Sequence, residues 1–289
     1  MTEARLRTFV AVADAGSVRE AARRLYVTES AVSAALAALA RDLGVALVRR
    51  EGRGLALTPA GTVYASYARR VLGLLEQGRA AARGAADPAR GPLRLAAVTT
   101  AADQVLPELL ASFRARWPEV DLALEVGPRR QVWSSLAAHR ADLVLAGRPP
   151  AGVAATVLAR RPNVLVVVGA PALAAAFDPA TTPWVMREPG SGTRATAEAY
   201  LTERDVAPPR LVLGSNGAVV AGAAAGLGAA LLSRDAVRGH LADGSLVEID
   251  APGTPLHRPW HAVGGPDPTP TTRLFVDHLL DAPGWSRPR

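Results

Sequence analysis

The stretch that decides the N-terminal fold is SVREAARRLYVTESAVSAALAALARDLG, residues 17–44. Ser17 and Glu20 form the Ser-x-x-Glu pattern of a capping box, which predicts that a helix begins here. A second helix is predicted to start after Thr28 and to end at Gly44, because apolar residues recur between them at helical spacing. Two short amphipathic helices joined by a tight turn are typical of a helix-turn-helix, although a simple helical hairpin has the same periodicity.

The next segment, residues 46–58, has an apolar start, a glycine-containing turn with arginines and alternating leucines near its end. This pattern predicts a β-hairpin wing beside the two helices. Arginines at the tip of such a wing lie along phosphates or enter the minor groove of DNA. We therefore predict that Arg49, Arg50 and Arg53 contact DNA.

The charge distribution favours the same interpretation. The chain has 289 residues and a net charge of +7, and residues 1–90 hold 14 arginines against 8 acidic residues, whereas the rest holds 19 against 18. A local basic excess is typical of a nucleic-acid-binding module, although a solvated basic face would have the same composition. The length predicts about two domains.

The residue types that are missing exclude several classes of site. The chain has no cysteine and no lysine. These absences exclude disulfide scaffolds, thiolate nucleophiles, P-loop lysines and Schiff-base lysines. The sequence has no secretory leader and no apolar run long enough to cross a membrane, so we expect a cytoplasmic protein without a membrane partner.

A long helix is predicted from Thr58-Pro59, because a capping hydroxyl followed by proline favours a helix start. Apolar and small residues then recur in alternating steps of four and three, which is typical of a coiled-coil seam between two copies of the chain. The predicted dimerisation residues of this seam are Tyr64, Tyr67, Val71 and Leu74. The alternative is a helix packed on its own domain. The Gly/Pro-rich residues 84–92 then break the helix.

These N-terminal residues resemble those of the LysR-type transcriptional regulators over about 60 residues. The matching stretches are FVAVADAGS (9–17), AARRLYVTESAVS (21–33), LARDLGVAL (39–47), REGRG (50–54) and LTPAG (57–61). The resemblance implies an α/β chain with a winged helix-turn-helix, a dimerising linker helix and a two-lobed effector domain like those of periplasmic binding proteins. It also implies double-stranded DNA, RNA polymerase and further copies of the chain, in a dimer or tetramer, as partners.

One position departs from the family pattern. Family members often carry Gln, Arg or Lys directly after the Ala-Val-Ser of the recognition helix, whereas this chain has Ala34 and Ala35. Base recognition by hydrogen bonds is therefore expected to be sparse, with an alanine methyl against thymine methyls as one substitute. The complete set of predicted DNA-binding residues is Ser17, Thr28, Ser30, Ser33, Ala34, Arg49, Arg50 and Arg53.

From residue 93 onward, strand patterns alternate with helix patterns, which favours a parallel α/β architecture. The predicted strands are 93–98, 120–126, 142–146, 164–168, 184–186, 211–213, 228–232, 246–249 and 257–263, and the predicted helices include 103–116, 131–139, 193–203, 218–225, 234–240 and 271–280. With the lobes that the resemblance implies, the expected domains are 1–58, 59–90 and 91–289. Lobe I comprises 91–161 and 265–289, and lobe II comprises 162–264.

Small polar residues cluster at several junctions between strands and helices of this region. Helix starts that converge at the carboxyl ends of strands form sites for anions, so we predict that a small anionic metabolite binds there. The predicted effector-binding residues are Thr99, Thr100, Ala101, Arg129, Glu188, Gly190, Ser191, Gly192, Thr193 and Asn216. Each junction taken alone has the alternative of a simple turn. Glu188 would repel an anion unless it accepts an effector hydroxyl or pairs with Arg187 or Arg194.

The stretch REPGSGTR (187–194), with GSN (214–216) and AAGLG (224–228), resembles the LysR branch that controls carbon-fixation operons. This weaker resemblance implies phosphorylated sugars, carboxylates or nucleotides as effectors. It identifies none of them.

Other classes of function have less support from the residues. The five histidines show no metal-binding spacing, and we expect no metal, no cofactor and no catalytic residue. A two-lobed solute-binding receptor without DNA function is the main alternative to a DNA-binding transcription factor. An α/β enzyme that uses Ser191 is a third possibility, but no base or partner acid is suggested by spacing.

Overall fold

A computed structural model describes residues 1–52 and 54–288 of the chain. It divides into two compact units, residues 1–82 with the short segment 137–140, and residues 83–136 with the chain from 141 onward. None of the described helices is long and apolar enough to cross a membrane.

The first unit contains three short helices, a hairpin and most of a long helix that ends in the second unit. Their bounds are α1 Glu3–Ala15, α2 Val18–Leu25, α3 Glu29–Leu43, β1 Val48–Glu51, β2 Gly54–Leu57 and α4 Pro59–Ala86. The predicted helix starts are confirmed, since the side chains of Ser17 and Thr28 accept hydrogen bonds from the amides of Glu20 and Ala31. Glu20 does not complete the capping box with its carboxylate. Hydrogen bonds from Arg23 and Arg24 hold that carboxylate and lower the pKa of Glu20 to about 2.

Apolar side chains from all three short helices form one core with the hairpin and the start of α4. Phe9 of α1, Val32 and Leu39 of α3 are fully buried in it, together with Ala65 of α4. The hairpin strands β1 and β2 pair antiparallel, as predicted for a wing. The amide of Leu55 donates to the carbonyl of Gly16 at 2.8 Å, which fixes the wing against the helices.

Helix α4 begins where the sequence predicts, with the Thr58 hydroxyl accepting from the amide of Gly61 at 2.9 Å. The residues of the predicted seam, however, lie in two different environments. Tyr64 is partly buried in its own unit, with its ring 5.5 Å from that of Phe9, and its place in a dimer seam stays a prediction. Heptad spacing alone does not separate the part of a helix that lies over its own domain from the part that extends beyond it. The exposed apolar residues of α4 are Val63, Tyr67, Val71, Leu74 and Leu75.

The second unit starts with a five-stranded sheet in the order β4-β3-β5-β13-β6, which defines lobe I. The strands are β3 Pro92–Ala97, β4 Asp121–Val126, β5 Leu143–Ala146, β6 Thr156–Arg161 and β13 Trp260–Gly264, and the helices are α5 Thr99–Gln104, α6 Leu106–Arg116, α7 Arg129–Ala137 and α12 Pro270–Asp281. Strands β4, β3 and β5 are parallel as predicted, whereas β13 runs antiparallel to both neighbours. The predicted helix 103–116 is two helices, because α5 ends at Gln104 and α6 begins at Leu106.

Lobe II contains the remaining strands and helices. These are β7 Val164–Gly169, α8 Pro171–Ala174, β8 Trp184–Arg187, α9 Gly192–Thr202, β9 Arg210–Leu213, α10 Asn216–Ala224, β10 Ala230–Ser233, α11 Arg234–Ala242, β11 Val247–Ile249 and β12 Leu256–His257. Strands β8 and β9 are parallel, but β7 pairs antiparallel with β10, β11 and β12. The expectation of a parallel sheet therefore applies to only part of this lobe.

The chain passes between the lobes twice. It enters lobe II between β6 and β7, near the expected position, and returns between β12 and β13. The return lies before Trp260 and not at the expected residue 264, because β13 pairs with β5 and β6 of lobe I. The predicted strand 257–263 is accordingly two strands in two different sheets, separated at Arg258 and Pro259.

Gly61 is the position where close packing of α4 on the hairpin can be tested. A methyl group at Gly61 would overlap the carbonyl oxygen of Leu47, whereas a methyl at Gly239 of α11 would meet no atom within 4 Å. We expect Gly61→Ala to lower the free energy of unfolding by about 1–3 kcal/mol. The control Gly239→Ala should raise it by roughly 0.5–1 kcal/mol, because alanine favours a helix. Denaturant unfolding followed by circular dichroism measures both, and an unchanged Gly61→Ala midpoint would contradict this packing.

Candidate functional site

A cavity of about 340 Å³ lies between the two lobes of the second unit. Lobe I and lobe II both contribute to its wall. The residues that line it are Val98, Thr99, Thr100, Gly127, Pro128, Arg129, Gly147, Asn163, Leu165, Arg187, Glu188, Pro189, Ser191, Gly192, Thr193, Ser233, Arg258 and Trp260.

Most of the predicted effector-binding residues lie around this cavity. They are Thr99, Thr100, Arg129, Glu188, Ser191, Gly192 and Thr193. The Ser191 hydroxyl caps α9 by accepting from the amide of Arg194 at 3.5 Å, which positions the loop on the cavity wall. The structure thus brings these residues together, and their contact with an effector stays a prediction.

Three predicted residues do not line the cavity. Ala101 is fully buried in the core of lobe I, and Gly190 lies on a neighbouring pocket. Asn216 is the buried first residue of α10, whose start is capped by Ser215. Small polar residues at a helix start identify a capped junction but not the direction in which that junction faces.

Arg258, which was not among the residues predicted from the sequence, lines the cavity from the return segment between the lobes. Its Nη1 donates to the carbonyl oxygen of Gly192 at 2.7 Å. Among the described residues, no carboxylate forms an ion pair with Arg258. Burial lowers the pKa of Arg258 from its ordinary value, and the positive charge of Arg129 lowers it further. The cavity therefore holds a partly desolvated guanidinium whose charge is not balanced by an acid of the protein.

Asn163 holds the backbone of Arg258 in place. The amide of Arg258 donates to the Asn163 carbonyl at 2.8 Å, and Nδ2 of Asn163 donates to the Arg258 carbonyl at 2.9 Å. The Ser233 hydroxyl donates to Oδ1 of Asn163 at 2.6 Å, so this buried amide is satisfied on both sides. Asn163 and Arg258 lie on the two segments that connect the lobes. The one signal in the sequence was an arginine next to Pro259 inside the predicted strand 257–263.

Glu188 forms an ion pair with Arg187, its neighbour in the chain. Its carboxylate accepts two hydrogen bonds from Arg187, at 2.7 Å and 2.8 Å, and these bonds are the main cause of a lowered pKa for Glu188. Of the possibilities left open by the sequence, the structure therefore shows the pair with Arg187. Arg194 instead donates to Glu198 at 2.8 Å. With Glu188 neutralised by Arg187, the lining has an excess of positive charge from Arg129 and Arg258.

The predicted DNA-binding residues of the first unit lie at the start of α3 and on the hairpin. Ser30, Ser33 and Ala34 are exposed, and the hydroxyls of Thr28 and Ser30 lie 2.9 Å apart. The Thr28 and Ser17 side chains also cap their helices, so part of their role is structural.

The two described wing arginines differ in their partners. Arg49 pairs with Glu51 at 2.8 Å, whereas Arg50 is exposed and has no ion pair among the described residues. Arg53 lies outside the described residues. Glu29, which the sequence analysis did not select, is exposed at the first position of α3 and has no hydrogen bond or ion pair in the described part of the chain.

Comparison with known proteins gives the family. Residues 4–62 match the model "Bacterial regulatory helix-turn-helix protein, lysR family", and residues 86–284 match "LysR substrate binding domain". The chain belongs to the LysR family. This LysR-type chain is 34% identical to the transcriptional regulator CbbR of Rhodospirillum rubrum, over 89% of this chain and 88% of the relative. It is also 34% identical to the RuBisCO operon transcriptional regulator of Acidithiobacillus ferrooxidans, over 96% and 93%.

Solved structures have the same architecture as this LysR-type chain. Full-length OxyR from Pseudomonas aeruginosa superposes with a TM-score of 0.74 at 19% identity, covering 100% of this chain and 99% of that one. CbnR in complex with its target DNA superposes with a TM-score of 0.67 at 22% identity, covering 96% and 98%. The regulatory domain of Synechocystis CcmR in complex with 2-PG is 27% identical, with a TM-score of 0.59, and covers 65% of this chain and 95% of that one.

These findings confirm the predicted family, the fold class and the general function. The LysR-type chain is a DNA-binding transcriptional regulator with an N-terminal helix-turn-helix domain and a C-terminal α/β effector-binding domain. The resemblance to the carbon-fixation branch is confirmed by the relatives named for such operons. A solute-binding receptor without DNA function does not agree with the helix-turn-helix match on the same chain.

Proposed function

We propose that this regulator responds to a small anionic metabolite that binds in the cavity between the lobes, with Arg258 and Arg129 as the ligands of its acidic group. The observation that carries the proposal is the charge of Arg258, which is partly buried beside a second cation and has no acidic partner among the described residues. Removing a charge from water is unfavourable unless a counter-charge compensates it. A bound carboxylate or phosphate supplies that counter-charge and matches the planar guanidinium in a bidentate contact.

Other features of the cavity agree with a polar anion as ligand. The hydroxyls of Thr99, Thr100, Ser191 and Thr193 are on its wall and can donate to ligand oxygens. Glu188 repels an anionic ligand only weakly, because its carboxylate forms an ion pair with Arg187. The related CcmR regulatory domain has been solved in complex with 2-PG, which favours an acidic ligand in this chain as well.

Replacing Arg258 tests the proposed effector site. We expect Arg258→Ala to weaken binding of 2-PG by roughly 10- to 150-fold, because hydrogen bonds between charged groups contribute about 1.5–3 kcal/mol. Calorimetry on the full chain measures the affinity. The control Arg210→Ala removes an exposed arginine of β9 that forms no ion pair among the described residues, and it should leave affinity unchanged. Equal affinity in wild type and Arg258→Ala would contradict this site.

For DNA recognition, we propose that α3 enters the major groove and that the wing contacts the phosphate backbone. Ser33 and Ala34 are exposed on α3, and residues near the start of such a helix contact base edges. An unpaired carboxylate at Glu29 would repel phosphates. We infer that Glu29 accepts a hydrogen bond from a base amino group, for which cytosine N4 is the matching donor in the major groove.

The wing arginines are tested through the salt dependence of DNA binding. Arg50→Ala should weaken binding to all sequences similarly and should reduce the slope of log affinity against log salt by about 0.9, the value for one phosphate contact. Arg53→Ala is expected to act in the same way. Ser33→Ala should instead change the preference among sites. Fluorescence anisotropy at several salt concentrations measures both quantities, with Arg210→Ala as the charge control. An unaltered slope in Arg50→Ala would show that Arg50 does not bind phosphate.

Self-association is proposed to use the exposed apolar residues of α4. Tyr67, Val71 and Leu74 lie on one face of this 28-residue helix, each with more than a third of its surface exposed. A long helix with an apolar stripe is stabilised by packing against another copy. We propose a dimer through this face, which agrees with a regulator that binds paired half-sites on DNA, and dimers that can form a tetramer.

The dimer proposal is tested by a charge on the stripe. Leu74→Asp places a carboxylate in the apolar interface, so the dimer should dissociate at micromolar concentration in sedimentation experiments. Thr62→Asp adds the same charge to α4 at an exposed position outside the stripe, and this variant should sediment like wild type. A monomeric wild type, or a Leu74→Asp variant that still dimerises, would contradict the proposed interface.

Three further properties belong to the same proposal. Because the helix-turn-helix match is to bacterial regulators, we place this protein in the cytoplasm with the DNA and RNA polymerase that it would act on. An enzymatic activity has no support from relatives that are transcriptional regulators. We also propose the domain limits at residues 58 and 90, and the start of α4 at Pro59 supports the first of them.

A further inference from the structure

The turn between α2 and α3 carries an aromatic side chain that is almost fully exposed. Tyr26 has 95% of its surface exposed, the highest value among the large hydrophobic residues of the described chain. Its hydroxyl has no hydrogen bond, and its ring has no aromatic or cationic neighbour, among the described residues. Burial of a large apolar surface is favourable, so side chains of this size are normally packed against the protein. The ring of Tyr26 therefore has no packing role in the first unit.

The backbone conformation at this turn is also unfavourable for a tyrosine. Tyr26 ends α2 in the left-handed conformation, with φ 56° and ψ 41°, and its amide donates to the carbonyls of Ala22 and Arg23. Glycine favours this conformation, and the corresponding ends of α1 and α3 are Gly16 and Gly44. The capping bonds use only the backbone amide, so the fold of the first unit does not require a tyrosine here.

The position of the turn relates Tyr26 to the DNA-binding surface. Thr28, two residues later, caps α3, the helix that we propose to enter the major groove. Val27, the next residue in the chain, lines a surface pocket at the starts of α2 and α3, together with Ser17, Arg19 and Thr28. A helix in the major groove has a phosphate backbone on each side of it. A side chain that projects from the turn at the start of α3 is therefore expected near one of these backbones.

We infer that Tyr26 binds the DNA backbone at the edge of the major groove, with its hydroxyl donating to a phosphate oxygen and its ring lying against the deoxyribose. This inference rests on the proposed docking of α3 in the groove. Tyrosine has an apolar body and a polar tip, and contacts to sugar and phosphate position a protein on the duplex. Tyr26 then fixes the register of a helix on which Ala34 and Ala35 have no side-chain hydrogen bonds to offer to bases.

The test compares the full chain with Tyr26→Gly and Tyr26→Phe. Fluorescence anisotropy measures the affinity for a duplex that wild type selects from a random pool, and denaturant unfolding measures stability. We expect Tyr26→Gly to bind this duplex at least about tenfold more weakly, because one hydrogen bond to a charged group is lost. It should unfold at the wild-type denaturant concentration or above it, because glycine favours the left-handed conformation. Tyr26→Phe keeps the ring, so its affinity should lie between the two.

The salt dependence separates this contact from those of the wing arginines. A neutral tyrosine releases no counterion from DNA, so Tyr26→Gly should leave the slope of log affinity against log salt unchanged, whereas Arg50→Ala should reduce it. The control Asp205→Gly replaces another exposed residue with a positive φ, of 53°, in lobe II. This control should bind DNA as tightly as wild type.

The possible results separate the role of Tyr26 from the docking of α3. If Arg50→Ala and Ser33→Ala act as proposed but Tyr26→Gly binds DNA like wild type, the role of Tyr26 is wrong and the docking stands. If neither Arg50→Ala nor Ser33→Ala has an effect, the docking itself is wrong and the inference fails with it. A loss of stability in Tyr26→Gly would show that the ring supports the fold, and a changed salt slope would indicate altered docking. Either result, or a loss of DNA affinity in Asp205→Gly, would also overturn the role of Tyr26.

Discussion

The effector-binding unit depends on one electrostatic constraint, the charge of the partly buried Arg258, which no carboxylate among the described residues balances. The guanidinium donates to the carbonyl of Gly192 in lobe II, while its own backbone is bonded to Asn163 in the entering segment. The loop before α9, the two connecting segments and the cavity wall are therefore fixed by bonds to a single residue. An arrangement of this kind agrees with a site prepared for a negative ligand, since the same charge in an empty cavity is unfavourable.

Both units of the chain start helices in the same way, by capping with a serine or threonine side chain. In both, the side chains of serine and threonine cap the helices, so Ser17, Thr28 and Ser191 each fix a helix start by one hydrogen bond to a backbone amide. In the first unit, these starts define the turn before α3, and in the second they define a loop at the cavity. The surroundings of a capped helix start decide whether it can also contact a ligand. Ser191 shares its cavity with the partly buried Arg258.

Features that depend on near neighbours in the sequence could be predicted, and features that depend on long-range packing could not. The helix starts at Ser17, Thr28 and Thr58 and the hairpin wing follow from short motifs. Tyr64 has the heptad position of a seam residue, yet its ring packs on Phe9, which no local pattern reports. Asn216 sits at a helix start like Ser191, but only the tertiary fold decides that it is buried in lobe II. Arg258 was missed, and the predicted strand 257–263 was not divided in two, for the same reason, because a change of sheet at Pro259 leaves no periodic signal.

The position of Arg258 has a mechanical consequence. The lobes are joined by two segments, and the residue that carries the unbalanced charge lies on one of them, bonded to Asn163 on the other. A ligand bound at Arg258 would lie at the segments that join the lobes, close to any axis about which the lobes rotate. Such a ligand would therefore restrain rotation of the lobes more than it displaced them, and it would raise the torsional stiffness of the joint. A stiffer joint would narrow the range of lobe orientations, and the proposed effector would then act by reducing conformational freedom.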